Sequence, residues 1–468
     1  MRTQMEPKIE KKRWIQNSVS VKMAVVGFLI IVLLIPLSFV KNLVIERKEL
    51  HQEVIKTIHK GWGEASILYG PIVKIPYKSY QKSTEIDEKT GKSKIIKTEN
   101  IDYAYFFPEK MDLDGTLQTE PKHKGIYTTS VYNVQSVLTG NFKCPDFNEL
   151  DIAPQDILWN KAQILIQLSN IKGVKDALKI NLNNTTYSFE TEFSNNKNRN
   201  TYMEMSDNEF TNLYTLVTKE INLKTLCNQA IVKKDEQLHF SMDYNSSGSE
   251  RFEIIPIGSE TTMHLKSNWK NTGFEGEYLP YNSDKITQNG FDARWKVLQM
   301  NRPFAQQFKY LPHLENYAFG VNFIIPVDNY LQNERASKYG YLMISLTFLL
   351  FFLIQTMSKI NIHPFQYLMV GLALVIFYTL LISISEHSNF TTAYVVASTA
   401  VIVLISLYSK SILKNLKFPL FIALSLSALY GFIFVIIQLE NYALLVGSIG
   451  LFSILAAVMY SSRKIDWG

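Results

Sequence analysis

Two cysteines in 468 residues, Cys144 and Cys227, are too few for a disulfide-dense scaffold or a cysteine-built metal centre. Motif chemistry is as sparse. The chain contains no G-x-S-x-G, no H-E-x-x-H and no glycine-rich phosphate-cradling loop, so neither a nucleophile elbow, a zincin site nor a nucleotide pocket is written in it. Its eight histidines stand at positions 51, 59, 123, 239, 264, 313, 363 and 387, and no two lie three to five residues apart as a local metal-ligand motif requires. Acidic residues are plentiful between the first two apolar runs, but nothing there singles out a general acid and its base. No catalytic, cofactor-binding or metal-binding residue follows, and a non-enzymatic protein is expected.

Charge is missing where it carries most information. The mean hydropathy of −0.01 is that of an ordinary soluble chain, yet residues 23–40 hold no charge at all. Five further runs of mostly apolar residues occupy 339–357, 365–383, 389–408, 418–437 and 442–460. Each is near the ~20 residues that cross a hydrocarbon core, so six transmembrane helices are expected, one N-terminal and five C-terminal. The first run follows Arg2, Lys8, Lys11, Lys12, Arg13 and Lys22, as a signal peptide would, but it is long for one and "PLSFVKNLV" offers no A-x-A-like cleavage site. It reads as an uncleaved anchor.

Orientation follows from lysine and arginine in the short flanks. With the N-terminus inside, the inner segments hold twelve: those six, Lys359, Lys410, Lys414, Lys417, Arg463 and Lys464. The short outer loops around Glu386 and Glu440 hold none. Residues 41–338 carry 36 of the 48 basic and 37 of the 42 acidic residues, or −1 net, so the chain's +6 is a topology signal and not a nucleic-acid footprint. The organisation read from this is a basic cytoplasmic N-terminus (1–22), a first span (23–40), a helical stalk (41–60), a large extracytoplasmic domain (61–338), a five-helix bundle (339–460) and a cytoplasmic C-terminus (461–468).

In the stalk, Leu43, Leu50, Val54 and Ile58 share one helical face and Gly61 is a stop signal. Beyond it the period changes. "IDYAYFFP", "GIYTTSVYNVQSVLTG", "AQILIQLSN", "LKINLNNTTYSFETEF", "EQLHFSMDYN" and "RFEIIPIG" are rich in β-branched and aromatic residues, bounded by Gly, Asn, Pro or Ser, and predict a large β-rich, sandwich-like or related antiparallel domain. "STEIDEKTGKSKIIKTEN" reads as a protruding polar hairpin turning near Lys89 to Lys92. "HLKSNWKNTGFEGEYLP" and "NGFDARW" read as irregular loops whose aromatic rings cap the core or line a groove, capping being the simpler reading, and "NYLQNERASKYG" as a helical link back to the membrane. A disulfide between Cys144 and Cys227 would persist outside the cytoplasm, but a separation of 83 residues neither supports nor excludes pairing, and two free buried thiols are the simpler expectation.

"LLISISEHSNF" sets Glu386 and His387 side by side between two apolar runs. With no charge at the centre of any run, a proton relay through the membrane is not expected. The pair reads as part of a short hydrated turn at the outer headgroup level, capping two helix ends or docking the large domain. Arg335 and Lys338, where the chain re-enters the membrane, should lie on the same side as possible partners for Glu386.

Residues 335–398 resemble the CreD family of bacterial inner-membrane, cell envelope integrity proteins. The marks are Arg335, Lys338 and Tyr339, then His363, Pro364, Gln366, Tyr367 and Gly371, then Phe377, Tyr378, Ser385, Glu386, His387, Ala397 and Ser398. "VIERKEL", "GPIVKIP", "GIYTTSVY", "SNW" with Trp269, and "RKIDW" extend the likeness over nearly the whole chain from about residue 20. Gln355 stands where the family has a glutamate, and Lys270, Asn271 and Thr272 where it has Pro-His-Pro, so a titratable role is not expected at either place. The resemblance implies a multi-pass inner membrane protein with a periplasmic domain, linked to envelope stress, and brings no catalytic or cofactor residues. Glu386, His387, Arg335, Lys338, His363 and Trp269 are the candidate functional or docking residues. The expected partners are the lipid bilayer, envelope components and other membrane proteins. A transporter or channel accessory and an envelope hydrolase are the competing functions.

Overall fold

The charge-free stretch after Met23 becomes the N-terminal half of one long helix, and the sequence past Gly61 abandons helical for strand periodicity. In the computed structural model, which describes residues 19–86, 93–192, 213–232, 237–323, 329–358, 360–413, 417–439 and 442–463, helix α1 (Val19–Trp62) is followed by β1 (Ser66–Ile86), β2 (Ser93–Phe106), β3 (Lys110–Lys124) and β4 (Tyr127–Lys143). Next come β5 (Gln163–Leu168), β6 (Lys179–Leu182), β7 (Thr185–Thr191), β8 (Tyr214–Thr218), helix α2 (Leu223–Val232), β9 (Gln237–Ser249) and β10 (Arg251–Ile254). The strands end with β11 (Glu260–Ser267), β12 (Thr272–Gly276), β13 (Ile286–Thr287), β14 (Gly290–Leu298), β15 (Gln307–Phe308) and β16 (Phe319–Phe323). Helices α3 (Asn329–Lys338), α4 (Gly340–Ser358), α5 (Pro364–Ser385), α6 (Phe390–Leu413), α7 (Lys417–Gln438) and α8 (Ala443–Ser462) close the chain. Two compact units result: residues up to Val54 together with those from Val327 onward, and Ile55–Pro326.

The Ile55–Pro326 unit is β-rich, as its composition predicts. Its strands follow the order β12-β16-β10-β1-β5-β8-β7-β6-β9-β4-β3-β11-β14-β13, with β2 on β1 and β15 on β2. β7 pairs with β8 in one sheet and β6 in the other, and so joins the two. One core gathers side chains from both, among them Tyr69, Ile166 and Phe252 from the first and Leu113, Phe240 and Trp295 from the second. β3 shows why a strand forms: Met111, Leu113 and Leu117 point inward while Asp112 and Asp114 lie between them, a period of two.

Three expectations are corrected here. "NGFDARW" is strand and not loop, and "HLKSNWKNTGFEGEYLP" is loop only between the end of β11 and β12 and after it: Phe291, Ala293, Trp295 and Val297 of β14 are buried at alternate positions, so the Phe291 and Trp295 rings belong to the core and do not cap it. The fold is not wholly antiparallel, because β10 runs parallel to β1 and β11 parallel to β3. Cys144 and Cys227 form a disulfide with their Cα atoms 5.8 Å apart and are not free thiols. β4 and β9 pair down to Lys143 opposite Gln237, which brings the residue after β4 to the helix before β9, a juxtaposition invisible in a spacing of 83. The turn of the polar hairpin lies outside the described residues; its strands pair as far as Ile86 opposite Ser93.

In the other unit, α1, α4, α5, α6, α7 and α8 are each long and apolar enough to cross a membrane. Leu33 and Leu37 of α1 seat against Gly371 of α5 and Gly340 of α4, where any Cβ would collide with the leucine side chain. Two buried hydroxyls find local partners: the Tyr367 hydroxyl donates to Gln355 Oε1 at 2.7 Å, and the Tyr394 hydroxyl to the Tyr430 carbonyl at 2.8 Å, inside an aromatic cluster with Phe377.

Candidate functional site

α5 must stop and the chain must reverse before α6, leaving carbonyls at one helix end and amides at the next without intrahelical partners. "SEHSNF" answers this locally. Ser385 Oγ donates to the Ile382 carbonyl at 2.9 Å and Ser388 Oγ to the Ile384 carbonyl at 2.9 Å. Asn389 Oδ1 accepts the Thr392 amide at 2.8 Å, a side-chain N-cap of α6.

α3 completes the closure from outside the turn. Its Asn329 amide donates to the Ser385 and Ser388 carbonyls at 3.3 and 3.2 Å, while its Oδ1 accepts the Phe390 amide at 3.3 Å. One turn later on α3, buried Asn333 donates to Ser385 Oγ at 2.6 Å. Two asparagines four residues apart share a helical face and thus serve two helix ends at once.

Charges surround this polar seam. Glu386 Oε1 lies 3.7 Å from Arg47 Nε of α1, an ion-pair distance and not a hydrogen bond. Among the described residues the cation facing Glu386 is therefore Arg47, from the predicted stalk, while Lys338 turns to Glu334. Lys338 is exposed and bonds Glu334 at 2.9 Å, and Lys48 bonds the same carboxylate at 2.8 Å. Hydrogen bonds first from Lys48 and then from Lys338 hold the Glu334 carboxyl down at about 2. Nearby His51 stacks on Tyr330 with ring centroids 4.9 Å apart. Arg335 is half-buried on the same helix, and His387 is exposed, its backbone amide bonded to the Ile384 carbonyl.

The structure brings Glu386, His387, Arg335 and Lys338 to one end of the bundle and leaves two candidates elsewhere. His363 is the exposed N-cap of α5, its Nδ1 accepting the Phe365 amide at 3.2 Å. The 22 residues of α5 separate it from Glu386 by ~33 Å along the axis. Trp269 belongs to the β-rich unit, half-buried against its core. Sequence reading missed Arg47, Lys48, Asn329, Asn333 and Glu334; the one available signal was the i, i+4 asparagine pair in the link helix. Among the described residues no group of three or more His, Cys, Asp and Glu is arranged to hold a metal.

A second polar cluster lies where α1 ends in the β-rich unit. His59 is buried, with Nδ1 2.9 Å from Glu250 Oε1 and Nε2 2.8 Å from Thr129 Oγ1. The hydrogen bond from His59 holds the Glu250 carboxyl below the usual carboxylate range.

Comparison with known proteins agrees with this architecture. Residues 18–468 match the family described as Inner membrane protein CreD. The Inner membrane protein CreD of Escherichia coli (strain K12) is 28% identical over 442 residues, which cover 94% of this chain and 91% of that protein. With one N-terminal and five C-terminal apolar helices around a β-rich unit, and a match that runs nearly end to end, the chain belongs to the CreD family of inner membrane proteins.

Proposed function

We propose that this protein is a non-enzymatic envelope-maintenance protein with N- and C-termini in the cytoplasm, whose β-rich unit lies in the periplasm and binds an envelope component there. The observation that carries the reading is the Cys144–Cys227 disulfide in that unit, since disulfides persist outside the reducing cytoplasm. It supports the same side for the β-rich unit as do the twelve cations of the inner segments, and on independent grounds. Single cysteines at Ser388, Asn415 and Ser462, probed with a membrane-impermeant maleimide, test the orientation. Ser388→Cys should label in spheroplasts, and Asn415→Cys and Ser462→Cys only after permeabilisation. Labelling of Asn415→Cys from outside overturns it.

For the binding function, the β-rich unit offers a cleft of about 520 Å³ bordered by Gln118, Thr119, Glu120, Asn133, Lys266 and Asn268. Amide and hydroxyl groups in such number, with one cation and one carboxylate, suit a neutral polar partner. Gln118→Trp with Lys266→Glu should abolish complementation of an envelope-sensitive deletion strain at unchanged protein level. Full complementation by that double variant removes the cleft from the reading.

A further inference from the structure

Helix α8 is the odd member of the bundle: none of its residues is buried. It touches α7 through Gly450, against whose backbone the Phe432 ring lies so closely that no Cβ would fit. From that contact onward, α8, α7 and α4 border a groove of about 840 Å³, a size found in built ligand sites, ~300–1,000 Å³. Its walls are apolar, with Leu350 and Leu353 from α4, Phe421 from α7 and Ala457 from α8.

Three hydroxyls, of Thr347, Ser425 and Ser453, stand along the walls, and among the described residues the one charged side chain of the lining is at the end of a helix. Ser358, Lys417 and Ser461 line one mouth of the groove, while Phe432 and Gly450 line the opposite end. From Lys417 to Phe432 is fifteen residues of α7, or ~22 Å. Half of a ~30 Å hydrocarbon core is ~15 Å, so the groove runs from one headgroup level to beyond the midplane. That length accommodates one extended acyl chain, and the mostly apolar walls suit hydrocarbon more than water.

We infer that this groove is a binding site for one anionic phospholipid, its acyl chain between α4, α7 and α8 and its phosphate at Lys417. Two features select a negative headgroup over a zwitterionic one. Lys417 opens α7, where the first amides lack intrahelical partners and the helix dipole favours an anion. Among the described residues that line the groove there is no Asp or Glu. The inference rests on α4, α7 and α8 spanning the bilayer; the orientation proposed above adds only that the lipid belongs to the cytoplasmic leaflet.

Any apolar groove in a bilayer fills with hydrocarbon, so the test must separate a selected lipid from bulk lipid. The full-length protein in mild detergent is titrated with phosphatidylglycerol or phosphatidylcholine and followed by native mass spectrometry and by its unfolding midpoint. One equivalent of phosphatidylglycerol should be retained and should raise the midpoint, with phosphatidylcholine doing neither. Lys417→Gln should weaken phosphatidylglycerol retention about fivefold, the scale of one lysine near an anionic surface. Ala457→Phe, which fills the groove, should abolish retention; Ser425→Leu serves the same purpose if Ala457→Phe does not fold. Equal retention of both lipids by the parent means bulk lipid only and overturns the inference, as does undiminished phosphatidylglycerol binding by Lys417→Gln or by the filled groove. Labelling of Asn415→Cys from outside with lipid selectivity intact overturns the orientation and leaves the site standing.

Discussion

Removing the Asn329 side chain should open the junction between α5 and α6 more than any other single truncation in the polar seam. Three bonds disappear in Asn329→Ala: two to the carbonyls of Ser385 and Ser388 and one from the amide of Phe390, all between 3.2 and 3.3 Å. At these lengths each contributes toward the low end of ~0.5–1.5 kcal/mol, and the groups left behind are helix ends with limited access to water, so the loss should total ~2–3 kcal/mol. Asn333→Ala removes one short bond to Ser385 Oγ, which keeps its own bond to the Ile382 carbonyl. It also deletes Asn333 Oδ1, a buried acceptor without a partner, so the net cost should be ~1 kcal/mol or less. Asn329→Asp should be no milder than Asn329→Ala, because it sets a carboxylate against two carbonyls.

Amide hydrogen exchange at Phe390 reads this directly. If exchange proceeds by local opening, ~2 kcal/mol corresponds to ~30-fold faster exchange in Asn329→Ala, against about fivefold or less in Asn333→Ala. Peptides of the β-rich unit serve as the internal control. A Phe390 amide within twofold of the parent in Asn329→Ala, or a larger effect from Asn333→Ala, refutes the assignment of Asn329 as the cap of both helices.

Glu334, held at about 2 between Lys48 and Lys338, has its folded pKa below the ordinary 4.5. Its contribution is therefore complete above pH 4.5 and lost as pH falls toward 2; because water reaches the group it should amount to ~1 kcal/mol, and Glu334→Gln should flatten the unfolding midpoint over that window. Glu250 is lowered as well, so its pairing with His59 should also weaken on acidification; His59→Ala, losing both buried ring contacts, should cost ~2 kcal/mol and Glu250→Gln less, as measured by thermal unfolding at pH 7. Cys227→Ser should destabilise the β-rich unit by ~4–5 kcal/mol through the loop of 83 residues that the disulfide closes, seen as earlier unfolding that reductant reproduces in the parent but not in the variant.

What the sequence disclosed about the fold was whatever repeats locally. A charge-free run has only one stable way to cross hydrocarbon, with its backbone bonds closed within the segment, so all six membrane helices were legible from length alone. Strands with several β-branched residues were legible too, such as β4 and β5. β14 was not, although it alternates, because Gly290, Asp292 and Arg294 at its outward and first positions mimic loop composition while Phe291 and Trp295 carry the burial. The disulfide and the parallel pairs were illegible because each depends on which distant strands lie side by side.

The same distinction explains the candidate site. Glu386 and His387 drew notice because charge between two apolar runs is conspicuous, yet the bonds that hold the turn come from Ser385, Ser388, Asn389, Asn329 and Asn333. None of the five is charged, and Asn329 and Asn333 sit more than fifty residues from the groups they satisfy. A helix end announces its need for partners in sequence but not who supplies them. Arg47 is a sharper instance: it faces Glu386 across 339 positions, from a stretch whose periodicity identified only a helix. Lysines and arginines between 41 and 48 run against the positive-inside rule if the N-terminus is inside. Two of them, Arg47 and Lys48, lie opposite Glu386 and Glu334, so each has a carboxylate partner at the bundle's end. Arg47→Ala should then leave orientation unchanged and loosen the Glu386 end alone, whereas an inverted or mixed topology in Arg47→Ala, read by the Ser388→Cys label, would mean that these cations act on insertion itself.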